Sequence, residues 1–245
     1  MNSILKTKKI IKHFDGVKAV DGLSVEIEKG KITGLIGPNG SGKTTLMNLL
    51  TGMFPFDGGF VAVDGVSGIK KIRSYDIPAF GITRTFQDVR LFEQMTVLDN
   101  ILVVLTERNI VSALFERHKK IHHEKAKEVL ERVGLWEKKN ELAINLSYGQ
   151  RKLLEIARAL AMNSEIYFFD EPFAGLFPEM VKLVSGIIKE LRTHGKTVVL
   201  IEHDMGLIRE LCDYVFVMES GKLLAEGEPE KVLKNKDVIE AYLGE

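Results

Sequence analysis

The segment ITGLIGPNGSGKTT, residues 32–45, leaves this chain few folds to choose from. Ile32–Ile36 is an apolar run of strand length. It runs into Gly37-Pro38-Asn39-Gly40-Ser41-Gly42-Lys43-Thr44, two glycines flanking four residues and then Lys-Thr. The following TLMNLLTG reads as a helix closed by Gly52. Strand, glycine-rich turn and helix make a phosphate loop. Its glycines let successive N–H groups curl inward toward phosphate oxygens. The helix adds its positive end, worth roughly half a charge. Lys43 brings an ammonium to the β and γ phosphates, and Thr44 offers a hydroxyl to Mg²⁺.

The rest of the chain alternates in kind. Leu5–Lys12 and Leu23–Ile27 read as strands of a half-exposed sheet, with Phe60–Val63 and Ile82–Phe86 as further short strands. From about 88 to 160 the pattern is helical. Thr96 and Asp99 resemble a capping box. Ala126, Val129, Leu130 and Val133 form one apolar stripe in a highly charged stretch, where Glu128 and Arg132 are spaced to pair. Leu153, Ile156, Ala157 and Leu160 form another. Strands return at Ile166–Phe169, Thr197–Ile201 and Tyr214–Met218, with a helix from Pro178 to about Gly195 between the first two. Strand–helix–strand alternation predicts an α/β fold with a parallel, doubly wound sheet. The division expected is a nucleotide-binding core over 1–88 and 161–245 and an inserted helical subdomain over 89–160.

Composition removes other classes. Lys plus Arg and Asp plus Glu are both 34, so the basic surplus that nucleic acid or an anionic membrane demands is missing. Cys212 is the one cysteine, which forbids an internal disulfide framework. No apolar run exceeds five residues, far from the ~20 of a spanning helix. The start, MNSILKTKK, lacks a secretory apolar stretch. A soluble cytosolic chain is expected.

Two further motifs bear on chemistry. Ile166-Tyr167-Phe168-Phe169-Asp170-Glu171 is a buried strand ending in two acids at the edge where open α/β sheets bind ligands. There Asp170 can orient a Mg²⁺ shell and Glu171 can polarise a water, an assistance worth roughly 10²–10⁴ in rate. Leu146-Ser147-Tyr148-Gly149-Gln150 opens a helix with a good N-cap, a second anion-ready helix end.

With that segment the chain resembles the ATP-binding-cassette ATPases, whose signature is Leu-Ser-Gly-Gly-Gln. The motifs run in the family order. The resemblance implies that Phe14 stacks on adenine and that Gly37–Thr45, including Thr45, is the phosphate loop. It also implies that Gln87 in TRTFQ contacts Mg²⁺ and water, and that Ser147, Gly149 and Gln150 contact ATP. Asp170 and Glu171 become the metal-shell acid and the general base, and His203 in IEHDM the switch histidine. It further implies an antiparallel β-subdomain beside the core sheet, and a head-to-tail dimer that sandwiches two ATPs and reopens on hydrolysis. Two departures stand out: Tyr148 in place of the signature's first Gly, and Phe177 where the D-loop, Ala174-Gly175-Leu176-Phe177, usually has Asp.

One phosphate loop and one signature make a single cassette, and the 104 residues from Lys43 to Ser147 are too few for the long coiled coils of chromosome-maintenance relatives. The stretch GITRTFQDVRLFEQMTVLDNIL and the ending EGEPEKVLKNKDVIEAYLGE resemble the ATP-binding subunit of branched-chain (hydrophobic) amino acid importers. The alternatives are the ATPase subunit of a lipopolysaccharide-export system, a non-transport ABC ATPase, and, in a different class, a nucleotide-binding module that hydrolyses poorly and only signals. The importer resemblance implies two membrane permeases, a second ATP-binding subunit (or a homodimer), an external solute-binding protein, no nucleic acid, and attachment to the inner face of the membrane. Phe80, Leu91, Phe92 and Met95 would form its groove for a permease coupling helix. A GTPase reading fails because Asn235-Lys236-Asp237-Val238 puts Val where guanine recognition needs an acid. His118, His122 and His123 read as a solvated face.

Overall fold

The computed structural model describes residues 3–105 and 119–243. His118 lies outside them. The described chain falls into two compact units. The first comprises residues 1–84, 165–171 and 185–245, and the second residues 85–164 and 172–184.

The first unit holds two sheets. One is antiparallel, with order β2-β1-β5-β6 and β3 also paired to β1. Its strands are β1 (Ser3–Phe14), β2 (Val17–Leu23), β3 (Glu26–Glu28), β5 (Gly58–Val63) and β6 (Val66–Ile69). The expected strand Leu23–Ile27 is split between β2 and β3. Where β1 bends at Lys9 (φ 49°), hydroxyls take over from the ladder: Lys9 N–H donates to Ser24 Oγ, and Val25 N–H to Thr7 Oγ1.

The other sheet has order β11-β10-β4-β9-β8-β7. It consists of β4 (Ile32–Ile36), β7 (Ile82–Arg84), β8 (Ile166–Asp170), β9 (Thr197–Ile201), β10 (Tyr214–Glu219) and β11 (Lys222–Gly227). All neighbours run parallel except β11, an antiparallel edge. β4, β8 and β9 are buried at every position, as continuous apolar runs in a parallel sheet must be. β7 is shorter than the expected Ile82–Phe86, because beyond Arg84 the Phe86 N–H goes to a carboxylate, Glu155 Oε1, instead of a strand. Leu35, Met47, Phe168, Val199 and Met218 share one core with the antiparallel sheet's Leu5, Val61 and Val63. Burial of each such side chain contributes roughly 1.5–3 kcal/mol. The unit also contains helices α1 (Lys43–Leu50), α6 (Met205–Leu211), α7 (Pro229–Val232) and α8 (Lys236–Leu243). At α8, Asn235 Oδ1 accepts from Asp237 N–H, so the near-miss to a guanine motif is a helix cap.

The second unit packs α2 (Val97–Leu105), α3 (Lys119–Arg132) and α4 (Tyr148–Ala161) against one another. Val97 and Ile101, then Ala126, Val129, Leu130 and Val133, then Leu153, Ile156, Ala157 and Leu160 are buried, as the spacing predicts. Thr96 Oγ1 accepts from Asp99 N–H as a cap should. The aspartate, one methylene shorter than glutamate, bonds back to that hydroxyl at 2.6 Å, so only half of the expected box forms. Helix α5 (Pro178–Thr193) begins in this unit.

Candidate active site

Three adjacent parallel strands deliver the chemistry to one edge of the sheet. The phosphate loop leaves the carboxyl end of β4, His203 follows β9, and Asp170-Glu171 ends β8, with β9 between the other two. Gly37, Gly40 and Gly42 all have positive φ, which curls the loop. Two of these glycines also face backbone. A Cβ at Gly37 would stand 2.1 Å from Met218 O, and one at Gly42 2.3 Å from Ala19 O. The loop is therefore gripped between the end of β10 and strand β2. Gly221 N–H donates to Ser41 O at 3.0 Å, and Asp21 N–H to Gly221 O at 2.9 Å, so the β10–β11 turn braces it as well.

Lys43 is buried at the start of α1, its ammonium donating to Gly37 O at 2.6 Å and Pro38 O at 2.9 Å. The α1 N-terminus has no side-chain cap and no acid in its first turn, so its positive end faces the loop uncompensated by protein. Ser41 Oγ is buried without a partner, an unmet donor inside the loop. Asn39, Gly40 and Thr44 are exposed, and Pro38 and Thr45 half-buried. The arrangement suits a polyphosphate.

Glu171 has left-handed backbone (φ 49°), rare for a residue with a Cβ, and its N–H still bonds Ile201 O at 3.0 Å. This twist takes its carboxylate out of the strand. Glu171 Oε1 lies 3.1 Å from His203 Nε2, so the two residues expected to be base and switch histidine are brought together. Asp170 is buried and ion-paired to Arg84, Nη2 to Oδ2 at 2.8 Å. Arg84 Nη1 also donates to Asn48 Oδ1 and Thr51 Oγ1 on and beside α1. Sequence reasoning did not single out Arg84; only its position at the end of the strand beside β8 could have flagged it. Phe14 is 39% exposed, edge-to-face with Phe54 at 5.5 Å. Within the first unit, the exposed Thr44 hydroxyl opens α1 and the Asp170 carboxylate ends β8, hard oxygen donors of the kind Mg²⁺ takes, whereas Gln87 belongs to the second unit.

In the second unit Gln87 is exposed and flanked by residues tied to α4. Glu155 Oε1 accepts from Phe86 N–H at 3.2 Å and from Arg90 N–H at 3.4 Å. Burial lifts the Glu155 carboxyl to about 7, against those two bonds and the nearby Lys152 and Arg158 cations, which pull it down. Ser147 Oγ accepts from Gln150 N–H and Gln150 Oε1 from Ser147 N–H, a complete capping box. Ser147 and Tyr148 are exposed, whereas Gly149 is buried beneath Met180 and Leu176. Among the described residues no cluster of three metal-ligating side chains occurs, and His122 and His123 are half-buried and exposed on α3.

Comparison with known proteins agrees with this geometry. The family model for ABC transporters matches residues 20–174. A second, described as branched-chain amino acid ATP-binding cassette transporter, matches residues 222–245. The chain is 40% identical to the high-affinity branched-chain amino acid transport ATP-binding protein BraF of Pseudomonas aeruginosa, over 99% of this chain and 98% of the relative. It is 41% identical to LivG of Salmonella typhimurium, which bears the same descriptive name, at the same coverage. A nucleotide-free ATP-binding cassette from an ABC transporter superposes with a TM-score of 0.86 at 35% identity, over 99% of this chain and 100% of that one. The ADP conformation of MJ1267, an ATP-binding cassette of an ABC transporter, gives 0.86 at 36% identity, over the whole of both chains.

Proposed function

The chain belongs to the ABC transporter family, and from that membership we propose that it is the ATP-binding and ATP-hydrolysing subunit of an importer for branched-chain (hydrophobic) amino acids, working through separate membrane permeases. The observation that carries the catalytic reading is the convergence of the phosphate loop, His203 and Glu171 from three neighbouring strands on one sheet edge. The loop's N–H groups and the Lys43 ammonium bind the β and γ phosphates of ATP. Phe14 stacks on its adenine. Glu171, held by His203, takes the proton of the water that attacks the γ-phosphorus. Thr44 and Asp170 of the first unit would hold Mg²⁺, which neutralises charge on the phosphates when bound, and Gln87 keeps the metal- and water-contacting role that the family resemblance implies for it.

Ser147, Gly149 and Gln150 act in trans, on ATP held by a second ATP-binding subunit, identical or closely related. The γ-phosphate bridges the two, and its loss lets them part. The permease coupling helix docks beside Phe92, which is 46% exposed under the Arg158 guanidinium; of the other residues expected in this groove, Leu91 and Met95 are half-buried and Phe80 packs against the core of the first unit. No helix among the described residues is long and apolar enough to cross a membrane. Attachment to the inner face of the membrane through permeases, and an external solute-binding protein, are part of the same proposal.

Purified protein hydrolyses Mg-ATP in this reading, and Lys43→Ala abolishes turnover. Glu171→Gln lowers it by about 10²-fold or more and traps an ATP-bound dimer visible by light scattering. A monomer under saturating ATP would overturn the sandwich. ATP-dependent uptake of branched-chain amino acids by vesicles carrying the permeases tests the transport assignment, and uptake indifferent to these solutes overturns it.

A further inference from the structure

The signature turn and the D-loop segment interlock through two glycine sockets. A Cβ at Gly175 would stand 2.8 Å from Tyr148 Cε1 and 3.2 Å from Cδ1. In the opposite sense, a Cβ at Gly149 would stand 2.8 Å from Met180 Sδ and 3.5 Å from Leu176 Cδ2. Each segment thus pushes a side chain into a gap that only the other's glycine leaves. Gly175 also has φ +72°, a conformation side-chain-bearing residues resist. The Tyr148 ring remains 49% exposed, so core burial does not account for its presence.

One of the two departures from the family pattern, Tyr148, makes this contact, and the other, Phe177, lies two residues beyond Gly175 in the chain. The signature gains a ring at Tyr148, and the D-loop loses its Asp to Phe177, which is 71% exposed. We propose that the Tyr148–Gly175 contact is a mechanical link that ties the signature turn of this chain to its own catalytic base, in place of the polar coupling that the missing Asp would give. Gly175 follows Glu171 by four residues, and two of the three between, Pro172 and Phe173, are buried. Leu176 N–H bonds Phe173 O at 3.1 Å, closing the turn. A shift of the signature turn therefore has little slack to be lost in before it reaches Glu171, whose left-handed backbone is already constrained. Tyr148 is a positioning residue in this scheme. The inference rests on the sandwich reading, because it is the partner's ATP that would move the turn.

The test is a double-mutant cycle in the full chain, read by steady-state ATPase and by ATP-induced dimerisation in the Glu171→Gln background. Tyr148→Ala lowers kcat about tenfold, with KM for ATP within about twofold, the size expected for contacting residues. Tyr148→Phe, which keeps the ring, recovers most of kcat. Gly175→Ala lowers kcat both through its positive φ and through the clash with the ring, so it costs at least about threefold less once the ring is gone and only the backbone strain remains. Dimerisation of Glu171→Gln survives the addition of Tyr148→Ala. A wild-type kcat in Tyr148→Ala, or losses that multiply in the double variant, overturns the link. Loss of the dimer in Tyr148→Ala/Glu171→Gln alone also overturns it, by placing the ring in the interface. Failure of Glu171→Gln to dimerise with Tyr148 intact overturns the sandwich reading, and the link with it.

Discussion

Arg84 and Asp170 lie 86 positions apart in the chain, yet their side chains share a 2.8 Å charge-assisted hydrogen bond almost wholly out of water. A pair so placed repays its desolvation only while both members remain. Arg84 also donates to Asn48 and Thr51, so it ties the acid at the end of β8 to helix α1. We expect Arg84→Ala to destabilise the protein by about 3–5 kcal/mol in urea unfolding, since it strands a buried carboxylate. A loss under 1 kcal/mol would show that Asp170 finds other charge compensation. The contact also shows the limit of reading residues in order. Lys43 and Glu171 each sit in a short local pattern with its own chemistry, and His203 in one that the family resemblance singles out. Arg84 has no such pattern, because its meaning comes only from the parallel pairing of β7 with β8. The Tyr148 ring over Gly175 was opaque for the same reason: Tyr148 was visible as a departure, but not that its ring fills the gap left by Gly175.

Helix α4 carries much of its logic in its N-terminal cap and in a buried carboxylate, Glu155. The capping box at Ser147 and Gln150 could be anticipated from residue types, as could the buried stripe. Glu155 could not. It occupies a buried position on the helix and accepts the N–H groups on either side of Gln87, so an apolar residue there would take away the acceptor of two partly buried donors. Its carboxyl, ordinarily near 4.5, is lifted to about 7. Between those values the folded chain keeps a proton that the unfolded chain has released, so stability falls as pH rises through this window. Glu155→Gln keeps an acceptor and removes the titration. Wild type should therefore lose up to about 3 kcal/mol relative to Glu155→Gln between pH 5 and pH 8, measured by urea midpoints. Parallel pH dependence in the two proteins would show that this carboxyl does not titrate in that range. Strands divided in the same way. The uninterrupted apolar runs of β4, β8, β9 and β10 were plain. β2, with its mixed sequence VKAVDGL, owes its existence to pairing with β1, which no local periodicity encodes.

At the scale of the whole chain, Cys212 offers a reporter that needs no added probe. It is buried after α6 against β4, where a Cβ on Gly34 would stand 3.0 Å from its sulfur. Burial, then the Asp213 and Glu202 carboxylates, push the thiol up to about 12. At pH 8 its thiolate fraction is about 10⁻⁴, so the folded sulfur is both shielded and unreactive. Labelling by a thiol reagent must therefore wait for opening of the structure around β4, and its rate tracks the population of that opened state. β4 is also the strand that launches the phosphate loop, so the opening that frees Cys212 dismantles the ATP site. Linkage then fixes the outcome. ATP at about 100 times its Kd stabilises the closed state by about 2.7 kcal/mol and should slow Cys212 labelling about 100-fold. Labelling that is equally fast with and without ATP would mean that fraying of α6 alone exposes the sulfur while β4 and its loop stay folded.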